Sequence, residues 1–166
     1  ARYKNTYFQD RNEIWTHGDL AELKPHGSAI IYGRTDNTLN PGGVRIGTAE
    51  IYNICERFKE IEDCLVFGKK NNNDEEIILC IKLSKNSKLD NNFSKIIRNI
   101  IRENASPRHV PHKIYEVTDI PYTMNGKRVE GAARWVLEGK DVPNLSSISN
   151  PECLKQYSEL NNKKAL

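Results

Sequence analysis

Apolar residues change their period several times along this chain. Ile14-Trp15-Thr16 and Leu20-Ala21-Glu22-Leu23 are strand-length runs on either side of a His17-Gly18-Asp19 turn, and Ser28 to Tyr32 follows the Pro25-His26-Gly27 turn. Three such short strands are marginal as a sheet on their own. They are expected to be the edge of a β-rich body whose other strands lie elsewhere. After Gly33 the pattern becomes helical: Thr48 is placed to cap a helix, Glu50 lies in its first turn, and Ile51, Ile54, Cys55 and Phe58 recur at helical spacing. Cys64 to Phe67 and Ile77 to Ile81 are apolar runs of strand length, with Lys69 to Glu76 reading as a loop between them. Asp90 is the expected cap of a second helix, whose Phe93, Ile96, Ile97, Ile100 and Ile101 form one apolar stripe. Pro107 and Pro111 end it, Lys113 to Val117 is a further strand, and Asp119 to Gly126 is rich in turn residues.

A third helix is expected from near Lys127, with Val129, Ala132, Ala133, Val136 and Leu137 on its inner face. Beyond Asp141 periodicity fades until a weak helical signal at Pro151 to Tyr157. The order ββ-loop-αββαβ-loop-α predicts a small α+β domain of about 100 residues, a short sheet packed with about three helices and large enough to bury its own core. The expected organisation is a β-rich remnant over 1–34, a junction at 35–37, a domain over 38–141 and an extension over 142–166.

Composition narrows the class. With 37% hydrophobic and 28% charged residues, the chain reads as soluble and globular. No apolar run approaches the roughly 18 residues that span a bilayer, so no membrane partner is expected. Nor does the N-terminus show a targeting segment. The net charge of +3 comes from 25 basic and 22 acidic side chains, an excess too small and scattered to predict a nucleic-acid partner. Cys55, Cys64, Cys80 and Cys153 fall in no metal-like spacing, and three sit in apolar settings. They read as reduced thiols of a cytoplasmic protein.

Four groups of residues carry candidate chemistry. Asp19 follows a glycine in a tight turn, where a carboxylate can accept hydrogen bonds from a ribose diol, although a plain turn aspartate is the commoner case. Arg34 and Arg45 bracket the Pro41-Gly42-Gly43 loop: guanidinium binds phosphate oxygens bidentately, and glycines let a ligand approach the backbone. Asp36, in the same boundary segment, is a hinge candidate. Lys127 follows an Asn-Gly turn that would pass for a hairpin turn with a solvated lysine, except that it joins a strand to a helix. On such a mobile loop a lysine reaches out as a point charge. Arg102, Arg108, His109 and His112 surround a helix end, where cations mostly complement the dipole. Neither G-x-x-x-x-G-K-[ST] nor G-x-G-x-x-G occurs, and no metal spacing stands out.

Together the motifs "HGD" (17–19), "GRTDNTLNPGGVRIGTAEIYN" (33–53), "PRHVP" (107–111) and "IPYTMNGKRVE" (120–130) resemble the C-terminal portion of the acyl-adenylate-forming enzymes, in particular the branch that activates acetoacetate. The resemblance runs from about Tyr7 to Leu160. It implies a two-step reaction, in which ATP and a carboxylate give an acyl-adenylate and pyrophosphate and the thiol of coenzyme A then displaces AMP. In that family a small C-terminal domain swings about a hinge between the steps. Carried over, Lys127 would bridge carboxylate and α-phosphate during adenylation, and Asp19 would bind the ribose hydroxyls. Arg34 and Arg45 would lie near ribose and phosphates, with Asp36 as the hinge. Gly43 would line the pantetheine path and Arg102 would meet the phosphates of coenzyme A. Mg2+ would be held mainly by the large N-terminal domain, so that the chain alone would be inactive.

Asn37, Asn40 and His17 depart from the residues common in the wider group and agree with the acetoacetate branch. A ligase for acetate or propionate would share hinge and lysine. A non-catalytic α+β module binding nucleic acid would bind in a salt-sensitive manner, and leaves the settings of Asp19, Asp36 and Lys127 unexplained.

Overall fold

The computed structural model describes residues 3–4, 8, 13–16, 18–34, 38–72 and 74–166, with backbone alone at 20 and 32–34. It divides into two compact units, Ala1–Asp36 and Asn37–Leu166. In the first, β1 (Asp19–Leu23) pairs antiparallel with β2 (Ala29–Arg34), with a bulge between Leu20 and Ala21. Ile14 to Thr16, expected as a strand, is not one: Trp15 stands edge-on to the rings of Tyr3 and Phe8, at 5.6 and 5.8 Å between centroids. Leu23 and Ile31 are exposed.

The second unit is built on a three-stranded sheet in the order β3-β4-β5, with β3 (Ile61–Asn71) antiparallel and β5 (Lys113–Glu116) parallel to the central β4 (Asp74–Leu83). Helix α1 (Thr48–Cys55) precedes the sheet, α2 (Asn91–Asn104) crosses from β4 to β5, and α3 (Glu130–Leu137) and the single turn α4 (Lys155–Ser158) follow it. This is the expected α+β class, with a fourth short helix. Side chains alternate across a strand. Cys64, Val66, Ile77, Leu79, Ile81 and Ile114 accordingly face α1 and α2, while Leu65, Phe67, Ile78, Cys80 and Tyr115 face α3 and the last 25 residues. Both faces are covered, so the strands read as unbroken apolar runs.

Several boundaries differ from expectation for local reasons. Gly47 rather than Thr48 caps α1, and its N–H donates to Glu50 Oε1 at 3.4 Å. Lys69 to Glu76 is not a loop but the end of a hairpin, in which Lys69 faces Glu76, Lys70 faces Glu75 and Asn71 faces Asp74. Opposite charges across the strands favour that pairing. Helix α3 starts at Glu130, three residues after Lys127, because 122–128 is held in a turn of its own. Asp90 does cap α2, accepting the N–H of Phe93 at 2.8 Å. Ile97 and Ile101 are fully buried there, whereas Ile96 is 42% exposed. Residues 145–162 form successive 3-10 and α turns that bury Leu154, Tyr157 and Leu160.

All four cysteines are free and buried. Burial raises the Cys80 thiol and pushes Cys153 up to about 12, and the hydrogen bond that the Cys64 thiol gives to Cys55, together with burial, raises Cys64. Among the described residues no helix is long and apolar enough to cross a membrane.

Candidate active site

The glycine loop springs from a buried rung. Leu39 and Ile46, each 1% exposed, exchange two backbone hydrogen bonds of 3.0 and 2.8 Å and throw residues 40–45 outward. Pro41 opens a 3-10 turn, and Gly42 and Gly43 continue it with φ of 58° and 78°, in the left-handed region that side chains disfavour. The loop is docked on the β3–β4 hairpin tip: the Gly42 N–H donates to Asp74 Oδ1 at 2.6 Å and the Asn40 N–H to Glu75 Oε1 at 2.9 Å. The Gly42 N–H, then that of Glu75, holds the Asp74 carboxyl below the usual carboxylate range. A side chain at Gly42 would collide with the Arg108 guanidinium, whereas at Gly43 it would meet nothing within 4 Å. Gly43 thus keeps an open backbone surface on a groove of about 720 Å³, lined also by Asn40, Lys70, Asn72 and Asp74. Arg45 is exposed on the same loop.

The helix-end cations are partly drawn into this loop. Besides Arg108 at Gly42, His109 contacts Glu50 Oε2 at 3.1 Å and Ser106 Oγ at 2.8 Å, which fastens 106–109 to the first turn of α1. The Nδ1 of His112 accepts the Ile77 N–H and is structural. Arg102 is exposed in the last turn of α2, its Nη1 3.3 Å from Asn99 Oδ1.

Lys127 stands in a tied turn rather than on a loose loop. The Thr123 N–H donates to the Lys127 carbonyl at 2.8 Å, the Lys127 N–H to Thr123 Oγ1 at 3.1 Å, and Tyr122 faces Arg128 in an antiparallel bridge. The other edge is held by 147–149, where the Met124 N–H donates to Ser147 O and the Ser149 N–H to Tyr122 O. The Lys127 side chain is exposed, with no ion-pair partner among the described residues.

Beneath it lies a polar network that the sequence did not single out. Arg128 Nη2 and Nε donate to Asp63 Oδ1 at 2.7 and 3.2 Å, and the guanidinium lies 4.4 Å from the centroid of the Tyr52 ring. The Tyr122 hydroxyl donates to Asp63 Oδ2, and Tyr52 donates to buried Glu130 at 2.9 Å while accepting the Val66 N–H. Burial opposes the charge on Arg128, but the bonds to Asp63 outweigh it and raise its pKa; burial and Asp63 push Tyr122 up to about 12. The sequence signal for this network was slight: Asp63 is one of three acids, with Glu60 and Glu62, at the head of an apolar strand.

Lys127 and the Gly43 loop are not brought together. Asp63, which anchors the lysine turn, pairs with Lys82 at the open end of the hairpin, whereas the glycine loop docks at its closed end. At about 3.3 Å per residue, Asp63 and Asn71 lie roughly 26 Å apart along β3. In the other unit Asp19 is exposed at the start of β1, opposite Arg34 at the end of β2. Asp36, like His17 and Asn37, lies outside the described residues.

No family model matches the chain. It is 46% identical over 160 residues to the acetoacetyl-coenzyme A synthetase of Rhizobium meliloti, covering 96% of this chain and 25% of that protein. With the acetoacetyl-CoA synthetase of Caenorhabditis elegans it shares 43% over 159 residues, 94% of this chain and 23% of the other. Among solved structures, the acetoacetyl-CoA synthetase from Streptomyces lividans superposes with a TM-score of 0.88 at 38% identity, over 97% of this chain and 24% of that one. The chain is homologous to the acetoacetyl-CoA synthetases over a quarter of their length. Its fold is that of the C-terminal domain of acyl-CoA synthetases. Lys127, Gly43, Arg45 and Arg102 all lie on the second unit, and Asp19 and Arg34 on the first.

Proposed function

We propose that the chain is the C-terminal part of an AMP-forming acid–thiol ligase, which activates acetoacetate with ATP and passes the acyl group to coenzyme A. The observation that carries this reading is the separation of Lys127 from Gly43 along one hairpin. A rigid unit with its cation at one end and its open glycine surface at the other serves a single reaction centre only by turning between two steps. The division of the chain between Asp36 and Asn37 supports a hinge there, with Asp36 the residue that absorbs the change.

In the first step a carboxylate and a triphosphate must meet against their mutual repulsion. The Lys127 ammonium, exposed and without an ion-pair partner among the described residues, offsets that repulsion and follows the charge that develops on the phosphoryl oxygens. Asp19 is suited to the ribose hydroxyls, and Arg34 and Arg45 to ribose and phosphate oxygens. In the second step Gly43, whose Cβ position is open, admits the pantetheine arm, and exposed Arg102 meets the phosphates of coenzyme A. The Mg2+ that ATP brings is assigned to the large domain outside this chain.

The test uses the full-length polypeptide, wild type and Lys127→Ala, with acetoacetate, acetate and propionate. Acid-dependent pyrophosphate–ATP exchange should fall by about 10²–10³-fold in the variant, the loss that follows removal of one preorganised charge-stabilising donor. Thioester formation from supplied acetoacetyl-adenylate should persist, acetoacetate should be the preferred acid, and residues 1–166 alone should form no thioester. Normal exchange in the variant would sink the reading.

A further inference from the structure

At the base of the Lys127 turn Tyr122 faces Arg128, and the two side chains of that rung end on the two oxygens of one carboxylate. Arg128 donates to Asp63 Oδ1 and Tyr122 to Asp63 Oδ2. We propose that Asp63 is the positioning residue for Lys127, a staple across the base of the turn that fixes where the ammonium stands when substrate arrives. This inference rests on the adenylation role given to Lys127 above.

Three features make the staple stiff. Asp63 sits in β3 just after an irregularity in its pairing with β4, and its Oδ1 also accepts the Cys64 N–H at 2.8 Å, so the carboxylate has little freedom. Arg128 is gripped on three sides, by Asp63, by the Tyr52 ring and by Glu56 Oε1 at 3.4 Å. Its Nε and Nη2 converge on one carboxylate oxygen while the guanidinium carbon lies over the ring, a pair of contacts that a lysine could not reproduce. Tyr52 in turn is held by Glu130, the first residue of α3, so both the rung and the helix that follows the turn are locked to the same site. Successive side chains of extended backbone point to opposite sides. Holding Arg128 inward, with its side chain 24% exposed, therefore turns Lys127 outward.

A lysine with four rotatable bonds is a poor point charge unless its backbone is fixed, because a misplacement of about 1 Å can cost roughly 10²-fold in rate. The staple supplies that fixity from a strand that carries no proposed substrate contact.

The experiment compares Asp63→Asn, Tyr122→Phe and Lys127→Ala in the full-length protein. Asp63→Asn keeps the shape but removes the charge and one acceptor; Tyr122→Phe cuts one arm and leaves the Arg128–Asp63 pair. For Asp63→Asn we expect pyrophosphate–ATP exchange to fall by about 10²-fold while thioester formation from supplied acetoacetyl-adenylate stays near wild type. For Tyr122→Phe we expect a smaller loss confined to the same step. If Lys127→Ala loses exchange but Asp63→Asn and Tyr122→Phe do not, the staple is refuted and the proposed function stands. Equal losses in both steps would make Asp63 a merely structural residue and also overturn the inference. Should Asp63→Asn fail to fold, Tyr122→Phe decides alone by the same split. Full exchange in Lys127→Ala would instead remove the proposed function.

Discussion

Asp74 is the residue on which the glycine loop depends most directly. It is exposed and yet accepts two backbone N–H groups, those of Gly42 and Glu75, which favour its charged form. Its folded pKa is therefore depressed. The docking it provides is complete above the ordinary carboxylate range and persists as the pH falls through that range. It is lost only as the pH falls through the lower, folded value. The Gly42 amide, followed by NMR during acid titration, should hold its downfield shift through the ordinary aspartate range and lose it below; a midpoint at or above that range would show that the bond does not form. Sequence marked Gly42, Gly43, Arg45 and Lys127, because glycine pairs and lone cations on turns carry local signals. It did not mark Asp74 or Asp63, whose partners lie 32 and 65 residues away. A carboxylate is commonplace in isolation, and only the fold gives it an address.

At the scale of elements, α2 shows what an apolar stripe does and does not reveal. Ile96 and Ile97 are adjacent and equally apolar, but the core takes only Ile97. Ile97→Ala should cost about 2–5 kcal/mol, whereas Ile96→Ala should stay within about 0.5 kcal/mol, both read from urea unfolding midpoints at unchanged m. Equal losses would mean that the helix packs on a different face. Consecutive positions differ by a third of a turn, so a stripe wide enough to include both leaves its own edge undefined. The hairpin tip failed for another reason: Lys69 to Glu76 is polar enough to read as loop, and its strand character rests on charge pairs that become neighbours only after the turn has closed. Helix α3 starts later than its sequence suggests because the rung between Tyr122 and Arg128, together with the Asp63 carboxylate, overrides helix propensity at 127–129.

At the scale of the molecule, the second unit is three layers with the sheet in the middle. The early motifs and the alternating faces made that class legible, but the role of the last 25 residues was not. Their helical turns are mostly 3-10, which carry no 3.6-residue repeat, so their apolar residues showed only a weak pattern. In the structure Leu154, Tyr157 and Leu160 cover the face of the sheet opposite α1 and α2, with Ile148 and α3 beside them. The Gln156 amide and the Tyr157 hydroxyl both bond the Asp119 carbonyl. A chain ending at Asp141 should therefore lose cooperative thermal unfolding, observed by circular dichroism, while the same cut past Leu160 should preserve it. A sharp transition in the shorter chain would show that α3 alone suffices to close that face.

The buried cysteines acquire a meaning when set beside the proposed chemistry. A protein that handles activated acyl groups and a thiol cofactor risks acylating its own sulfhydryls, because thioester exchange proceeds through whichever thiolate is available. All four sulfurs here are walled off from solvent, and those of Cys64, Cys80 and Cys153 are held protonated at neutral pH. Packing that stabilises the sheet thereby also makes these four thiols poor competitors for an activated acyl group.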